Sequence, residues 1–333
     1  MAKTLRENLT KKEIVSLLKL TDFGAVYEEA ERVRAANVGN DVLLRAIIEF
    51  SNVCSRKCTY CGLRSANSDI KRYRMSEDEI LESAREAVAA GYRTIVLQSG
   101  EDEYFTKERV VKIIGEIKSL RVVATGQPPA VTLGLGERPY EHYRAWKEAG
   151  ADRYLLKHET ADEKLYNDLH PCGKFKDRKN CLLELKGLGY ETGSGFMVGL
   201  PGQTIDTLAK DLMLLKEIGC HMAGIGPFIP NPKTPLGDKN LAGPDFDRNE
   251  MTKRCVALAR ILLPKANLPI TTALAVNGEK NMDFGANVIM KKVTPDKYRD
   301  SYEIYPAGVG SANVKENRRM LEETIERMGR TYV

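Results

Sequence analysis

Eight short apolar runs alternate with helical patterns along this chain, and no other feature of the sequence constrains its fold as strongly. The runs are Leu43 to Glu49, Thr94 to Leu97, Val131 to Leu135, Arg153 to Leu156, Gly195 to Val198, Ala223 to Ile225, Ile270 to Leu274 and Asn287 to Met290. The segments between them carry helix signals. The capping box Ser76-Glu77-Asp78-Glu79 opens one helix that stops at Gly91, and others stop at Gly150, Gly189 and Gly219. Alternation of strand and helix calls for a parallel sheet, and eight units call for closure into a barrel rather than an open doubly wound sheet. The expected fold class is α/β, a (β/α)8 TIM-type barrel over residues 41–295 within a single domain. Residues 1–40 form an N-terminal helical extension, with helices at Glu13 to Lys19 and Ala25 to Ala35 and a cap at Asp22. Residues 296–333 form a short C-terminal tail packed on the barrel, with a polar helix from about Glu316 to Met328.

Unusual polar residues follow almost every run. They include the cysteines after the first, Ser99-Gly100-Glu101-Asp102, His158-Glu159-Thr160, Gly199-Leu200-Pro201-Gly202 and Gly226-Pro227. In a parallel barrel the carboxyl ends of the strands share one face, and that face carries the active site. The first of these stretches is the most specific. Cys54-Ser55-Arg56-Lys57-Cys58-Thr59-Tyr60-Cys61 gathers three thiols at a spacing suited to an iron-sulfur cluster with one iron left unliganded. Zinc is the competing occupant, but structural zinc wants four protein ligands and catalytic zinc usually adds His or a carboxylate. The histidines, His142, His158, His170 and His221, lie far downstream and form no paired ligand motif, which favours the cluster.

With an aromatic, Tyr60, directly before the third cysteine, the motif resembles the signature of the radical S-adenosylmethionine (radical SAM) superfamily. The resemblance implies one 4Fe-4S cluster on Cys54, Cys58 and Cys61, with SAM chelating the open iron through its amine and carboxylate. Reductive cleavage of the sulfonium then gives methionine and a 5'-deoxyadenosyl radical, while the protein aligns the substrate and keeps out solvent. In that company Ser99 to Asp102 would present backbone groups to the SAM amine, Gly100 permitting close approach. Taken alone the stretch is an ordinary strand-to-helix turn. Glu159 suits a grip on both ribose hydroxyls and Arg178 a fork on the SAM carboxylate, against surface ion pairs as the plain alternative. Gly195 to Thr204 lacks both the ending of a P-loop and the spacing of a dinucleotide fingerprint. Its Met197 and Val198 offer either an adenine platform or core packing. Tyr298, Tyr302 and Tyr305 are packing residues or, where a hydroxyl nears the mouth, orient a substrate.

Charge and composition exclude several functions. The net charge of +5 is spread through mixed-sign segments, so nucleic acid is not an expected partner. No apolar run approaches the roughly 20 residues that span a bilayer, and no leader opens the chain, so a membrane is not expected either. Three clustered and four scattered cysteines fit a cytoplasmic, reducing setting better than a disulfide framework. The scattered ones, Cys172, Cys181, Cys220 and Cys255, read as small buried or incidental side chains.

Longer strings narrow the resemblance. Ile47 to Cys54, Tyr60 to Arg64, Lys71 to Met75, Thr94 to Asp102, Ala149 to Thr160, Met197 to Thr204, Gly224 to Pro230, Leu262 to Pro264, Gly285 to Met290 and Tyr305-Pro306 resemble the FeFe-hydrogenase maturase HydE family. That family implies a full barrel and a SAM-dependent role in building the hydrogenase diiron site. The implied substrate is a cysteine-bound iron carbonyl cyanide complex from the maturase HydG, attacked at sulfur, with the product passing toward the GTPase HydF. A reductant such as ferredoxin or flavodoxin is implied as well. By position, Tyr60, Ser99, Gly100, Thr132, Glu159, Arg178, Met197 and Met290 would line the SAM site. Gln98, Arg153, Lys157, Thr271, Thr272, Tyr302 and Tyr305 would face the substrate, with Arg153 holding its carboxylate and Tyr302 near the radical carbon. Lys157 departs from the Arg expected there, which weakens bidentate anion recognition. No cysteine follows Cys255, so no second cluster is expected. The tail from Asn317 to Gly329 resembles PylB, the mutase that makes 3-methylornithine from lysine, which is the alternative enzyme. A nonenzymatic iron-sulfur carrier is the alternative of another class.

Overall fold

The computed structural model describes residues 7–237, 243–276, 281–306 and 313–333. Its strands are β1 (Asp41–Ser51), β2 (Thr94–Ser99), β3 (Ala130–Gly134), β4 (Arg153–Leu155), β5 (Glu191–Ser194), β6 (Met197–Val198), β7 (Met222–Ala223), β8 (Gly226–Pro227), β9 (Pro269–Ile270), β10 (Val288–Lys292) and β11 (Thr331–Tyr332). Eight of them form one parallel array in the order β7-β5-β4-β3-β2-β1-β10-β9. Its two ends meet through a single parallel bridge between Met222 and Asn267, so the array is a nearly closed barrel wrapped by helices. β11 adds to the start of β1, returning the C-terminus to the barrel.

The alternation of side chains along β1 explains both layers. Leu44, Ala46, Ile48 and Phe50 join the apolar core between strands and helices. Arg45, Ile47 and Glu49 therefore face the barrel interior. Register carries this inward row around the sheet: Ile47 pairs with Val96, Val96 with Thr132, Thr132 with Arg153 and Arg153 with Glu191. The next inward row toward the mouth holds Glu49, Gln98 and Gly134.

Two strand expectations need correction. The barrel strand expected at Gly195 to Val198 lies earlier, at Glu191–Ser194, while Met197–Val198 pairs only with Gly226–Pro227 in a small separate sheet. The true strand is polar and carries Gly193, where a Cβ would stand 2.7 Å from Met222 Cε, so no apolar run announces it. The run expected at Ile270 to Leu274 is a strand only at Pro269–Ile270; Thr271 Oγ1 accepts from the Leu274 amide at 3.3 Å and starts a short helix, Thr272–Val276. The other helix signals hold. Ser76 and Glu79 form the reciprocal capping box, and Gly219 ends Ile205–Ile218 with φ +66°. Part of the segment between the last two runs, 277–280, lies outside the described residues.

Candidate active site

The loop that leaves β1 carries the three cysteines, all partly buried and none in a disulfide. Arg72 holds this loop in shape, donating to the carbonyls of Asn52 at 2.6 Å, Leu63 at 2.8 Å, Arg64 at 2.7 Å and Asn67 at 3.2 Å. Gly100 packs against it from the end of β2: a Cβ there would stand 2.2 Å from Val53 O and 2.7 Å from the Cys54 Cβ. The close approach that Gly100 permits is thus to the cysteine loop itself. The next residue, Glu101, donates its amide to Cys54 Sγ at 3.4 Å.

Burial raises all three thiols, Cys58 to about 12 and Cys61 further still. The guanidiniums of Arg56 and Arg178 lower Cys54 and Cys58 too little to offset desolvation, so bound iron would supply the charge that makes them thiolates. Among the described residues no three His, Cys, Asp or Glu side chains converge as a single bound ion requires. Separate thiolates on the corners of a cluster fit three thiols carried on one loop.

Beside the cysteines runs a chain of buried polar contacts. Glu137 accepts from Arg178 Nε at 2.5 Å and pairs with Arg56 at 3.0 Å, while Arg56 also pairs with Glu101. Burial alone would raise Glu137, but the two guanidiniums hold its carboxyl below the usual range. Arg178 also donates to the Lys157 carbonyl at 2.6 Å, so its fork is engaged by protein groups. His170 is buried and held down to about 4 by desolvation and by Arg178. Its Nδ1 lies 2.8 Å from the Tyr166 carbonyl, which can only accept, so Nε2 accepts from the Tyr60 hydroxyl at 3.0 Å. Tyr60 and Met197 share an apolar cluster with Leu169, Leu200 and Phe228. Outside this chain a cleft of about 580 Å³ flanks the loop, lined by charged residues including Arg56, Glu101 and Glu137 but by none of the three cysteines.

Glu159 follows β4 in a left-handed conformation, φ +61°, the only non-glycine residue so placed among those described. Its amide donates to Gly195 O and its carbonyl accepts from the Met197 amide, which fixes the turn. The turn rests on buried His158, whose Nδ1 lies 2.9 Å from Ser194 Oγ. Lys157 Nζ stands 3.0 Å from Glu159 Oε2 without hydrogen-bond geometry.

Several interior polar atoms have no hydrogen-bond partner: Glu49 Oε2, Thr132 Oγ1, Arg153 Nη1 and Glu159 Oε2. Arg153 pairs through Nε with Glu191 at 2.5 Å. Tyr302 is buried and accepts from Gln98 Nε2 at 3.3 Å. Ser99 Oγ donates to the Gly100 carbonyl at 2.7 Å. Met290 is the register partner of Arg45 on β10, Thr271 lies against Gly226, and Thr272 meets the Tyr305 hydroxyl. Burial pushes Tyr305 upward. Of the scattered cysteines, Cys220 and Cys255 are buried as expected, whereas Cys181 is half-buried and Cys172 is exposed.

The sequence reading passed over Glu49, Arg56, Glu137, His170 and Lys292. Glu137 had a signal: it follows β3 as the other polar stretches follow their strands. Glu49 and Lys292 had none: Glu49 ends the run that begins at Leu43, where a charge reads as solvent-facing, and Lys292 lies beyond the run that ends at Met290.

Residues 48–215 match the family model of the Radical SAM superfamily. The chain belongs to that superfamily and is a radical SAM enzyme, with a 4Fe-4S cluster and SAM as its cofactors. Within it the chain belongs to the HydE family: it is 50% identical over 316 residues to the [FeFe] hydrogenase maturase subunit HydE of Thermotoga maritima, covering 93% of this chain and 87% of the relative. It is also 27% identical over 321 residues to the 3-methylornithine synthase of Methanosarcina acetivorans, covering 95% and 86%. Among solved structures, methylornithine synthase (PylB) shares the fold with a TM-score of 0.80 at 22% identity, over 100% of this chain and 95% of that one. The hydrogenase maturase HydG shares it with a TM-score of 0.79 at 20% identity, over 97% and 72%. No helix among the described residues is long and apolar enough to cross a membrane.

Proposed function

We propose that this enzyme acts in assembly of the FeFe-hydrogenase diiron site, on a cysteine-derived iron carbonyl cyanide substrate. The observation that carries this reading is the barrel interior, where buried groups of both charges converge with unmet hydrogen bonds. Such a lining suits a compact zwitterionic amino acid derivative better than an apolar ligand. Cys54, Cys58 and Cys61 hold the cluster, and Tyr60, Ser99, Gly100, Thr132, Glu159, Arg178, Met197 and Met290 line the SAM site. Cluster and SAM together supply the 5'-deoxyadenosyl radical. The chain's own residues do the rest. Glu159 accepts from the ribose hydroxyls, and the Arg178–Glu137–Arg56 chain ties the SAM-facing loops to the cysteine loop. Arg153 offers its unpaired Nη1 to the substrate carboxylate, and Gln98 fixes the Tyr302 hydroxyl beside the reacting end. Lys157, Thr271, Thr272 and Tyr305 complete the substrate wall. HydG and HydF are the expected donor and acceptor, and ferredoxin or flavodoxin the reductant. The unpaired thiols support a cytoplasmic setting.

Deleting the gene should leave FeFe-hydrogenase unmatured, and a plasmid copy should restore it. Purified enzyme given reductant, SAM and lysine should form no 3-methylornithine. Accumulation of that product would replace the maturase reading with the mutase one.

A further inference from the structure

Glu49 is a charged residue near the carboxyl end of the longest strand, and its surroundings are half complete. Its backbone is fixed from both sides: the amide donates to Thr294 Oγ1 at 2.9 Å and the carbonyl accepts from the Tyr73 hydroxyl at 2.6 Å. Oε1 pairs with Lys292 Nζ at 2.9 Å, while the carboxylate is only 4% exposed. Oε2 is buried and accepts from nothing. The nearby polar groups are already engaged. Gln98 and Tyr302 bond to each other, Thr294 and Lys292 serve the carboxylate without reaching Oε2, and Arg299 adds positive charge nearby.

The side chain points inward, because its neighbours Ile48 and Phe50 are in the outer core. Gly134, in the same inward row beyond Gln98, adds no side chain to that part of the wall. A buried carboxylate oxygen with no donor is costly unless a ligand completes it, and a carboxylate prefers a charged N–H. Of the other interior carboxylates, Glu191 is matched by Arg153, while Glu159 Oε2 also lacks a hydrogen-bond partner but is taken up by the proposed ribose contact.

We propose that Glu49 Oε2 receives the α-ammonium group of the amino acid portion of the substrate, with Lys292 holding the other carboxylate oxygen and orienting it. Glu49 is then the residue that selects an amino acid over its deaminated counterpart. The assignment rests on the reading of the interior as the cavity for an amino-acid-derived substrate.

The test uses the cluster-loaded enzyme with SAM and two thioether probes, S-methyl-L-cysteine and 3-(methylthio)propionate, which differ only in the ammonium. Calorimetric titration of the wild-type enzyme should show at least tenfold tighter binding of the amino acid. In Glu49→Gln, whose amide turns N–H groups toward the ligand ammonium, that ratio should fall close to one through weaker binding of the amino acid alone. A ratio reads selectivity, which a general loss of folding would not change in this one-sided way. Equal affinities in the wild type overturn the assignment without any variant, as does a wild-type ratio kept by Glu49→Gln. Failure of both probes to bind overturns the cavity reading and the Glu49 assignment together.

Discussion

The backbone of Gly62 lies flush against the carbonyl of Glu303: a Cβ on Gly62 would stand 1.9 Å from that oxygen. The Gly62 amide also donates to the Ile304 carbonyl at 2.9 Å, so the tail forms the outer wall of the cysteine loop one residue beyond Cys61. Gly62→Ala should push this wall away, costing about 1–3 kcal/mol, the usual range for overpacking. Melting temperature and iron retained after desalting should fall together. Unchanged values of both would show that the tail yields freely.

Replacing Cys54, Cys58 or Cys61 by Ala should each lower bound iron from about four per chain, the content of a 4Fe-4S cluster. Release of 5'-deoxyadenosine from SAM under reducing conditions should cease. Full iron content in the triple variant would mean that another site holds the cluster.

Glu159 carries a conformation that a side chain makes costly, by about 1–2 kcal/mol relative to glycine. Glu159→Gly should therefore be about 1 kcal/mol more stable than Glu159→Ala. Both should bind SAM more weakly than the wild type with iron content intact, as equilibrium dialysis and urea unfolding would report. Loss of iron with normal SAM binding would assign Glu159 to the cluster.

Desolvation holds His158 down to about 3 and His170 to about 4, against an ordinary value of 6.5. The unfolded chain therefore takes up these protons first. The stability of the neutral rings is complete above about 6.5 and is lost as pH falls toward the folded values. Inside that window each ring costs about 1.4 kcal/mol per pH unit. Urea unfolding should thus show a loss on the order of 2–3 kcal/mol between about pH 7 and pH 5.5. His170→Gln should remove about half of it, and an unaltered slope would exclude His170 as a contributor.

Much of this architecture was legible because apolar runs mark strands whose outer faces are buried. β1 to β4 were readable for that reason. β5 was not, since Thr192 and Ser194 are buried polar residues and Gly193 is there for want of room. The cysteines and Glu159 announced themselves by spacing and by following strands. Glu49 and Lys292 did not, because a charge inside a strand reads as solvent-facing until the barrel closes around it. Arg178 was visible only as one charge among many; its engagement by Glu137, from a turn 41 residues away, is a fact of tertiary folding.

The ring of strands closes unevenly. β1 spans eleven residues and is laddered on both sides, whereas β7 and β9 span two each and the ring closes there through one bridge, from Met222 to Asn267 just before β9. Stiffness in a protein follows local contact density, so this hoop is a rigid arc fastened by a small clasp. The arc carries Glu49 and the thiol loop, and the clasp sits beside Thr271, past β10 and β9 from β1. Any guest in the barrel would rest against a fixed anvil, with the least resistance at the clasp.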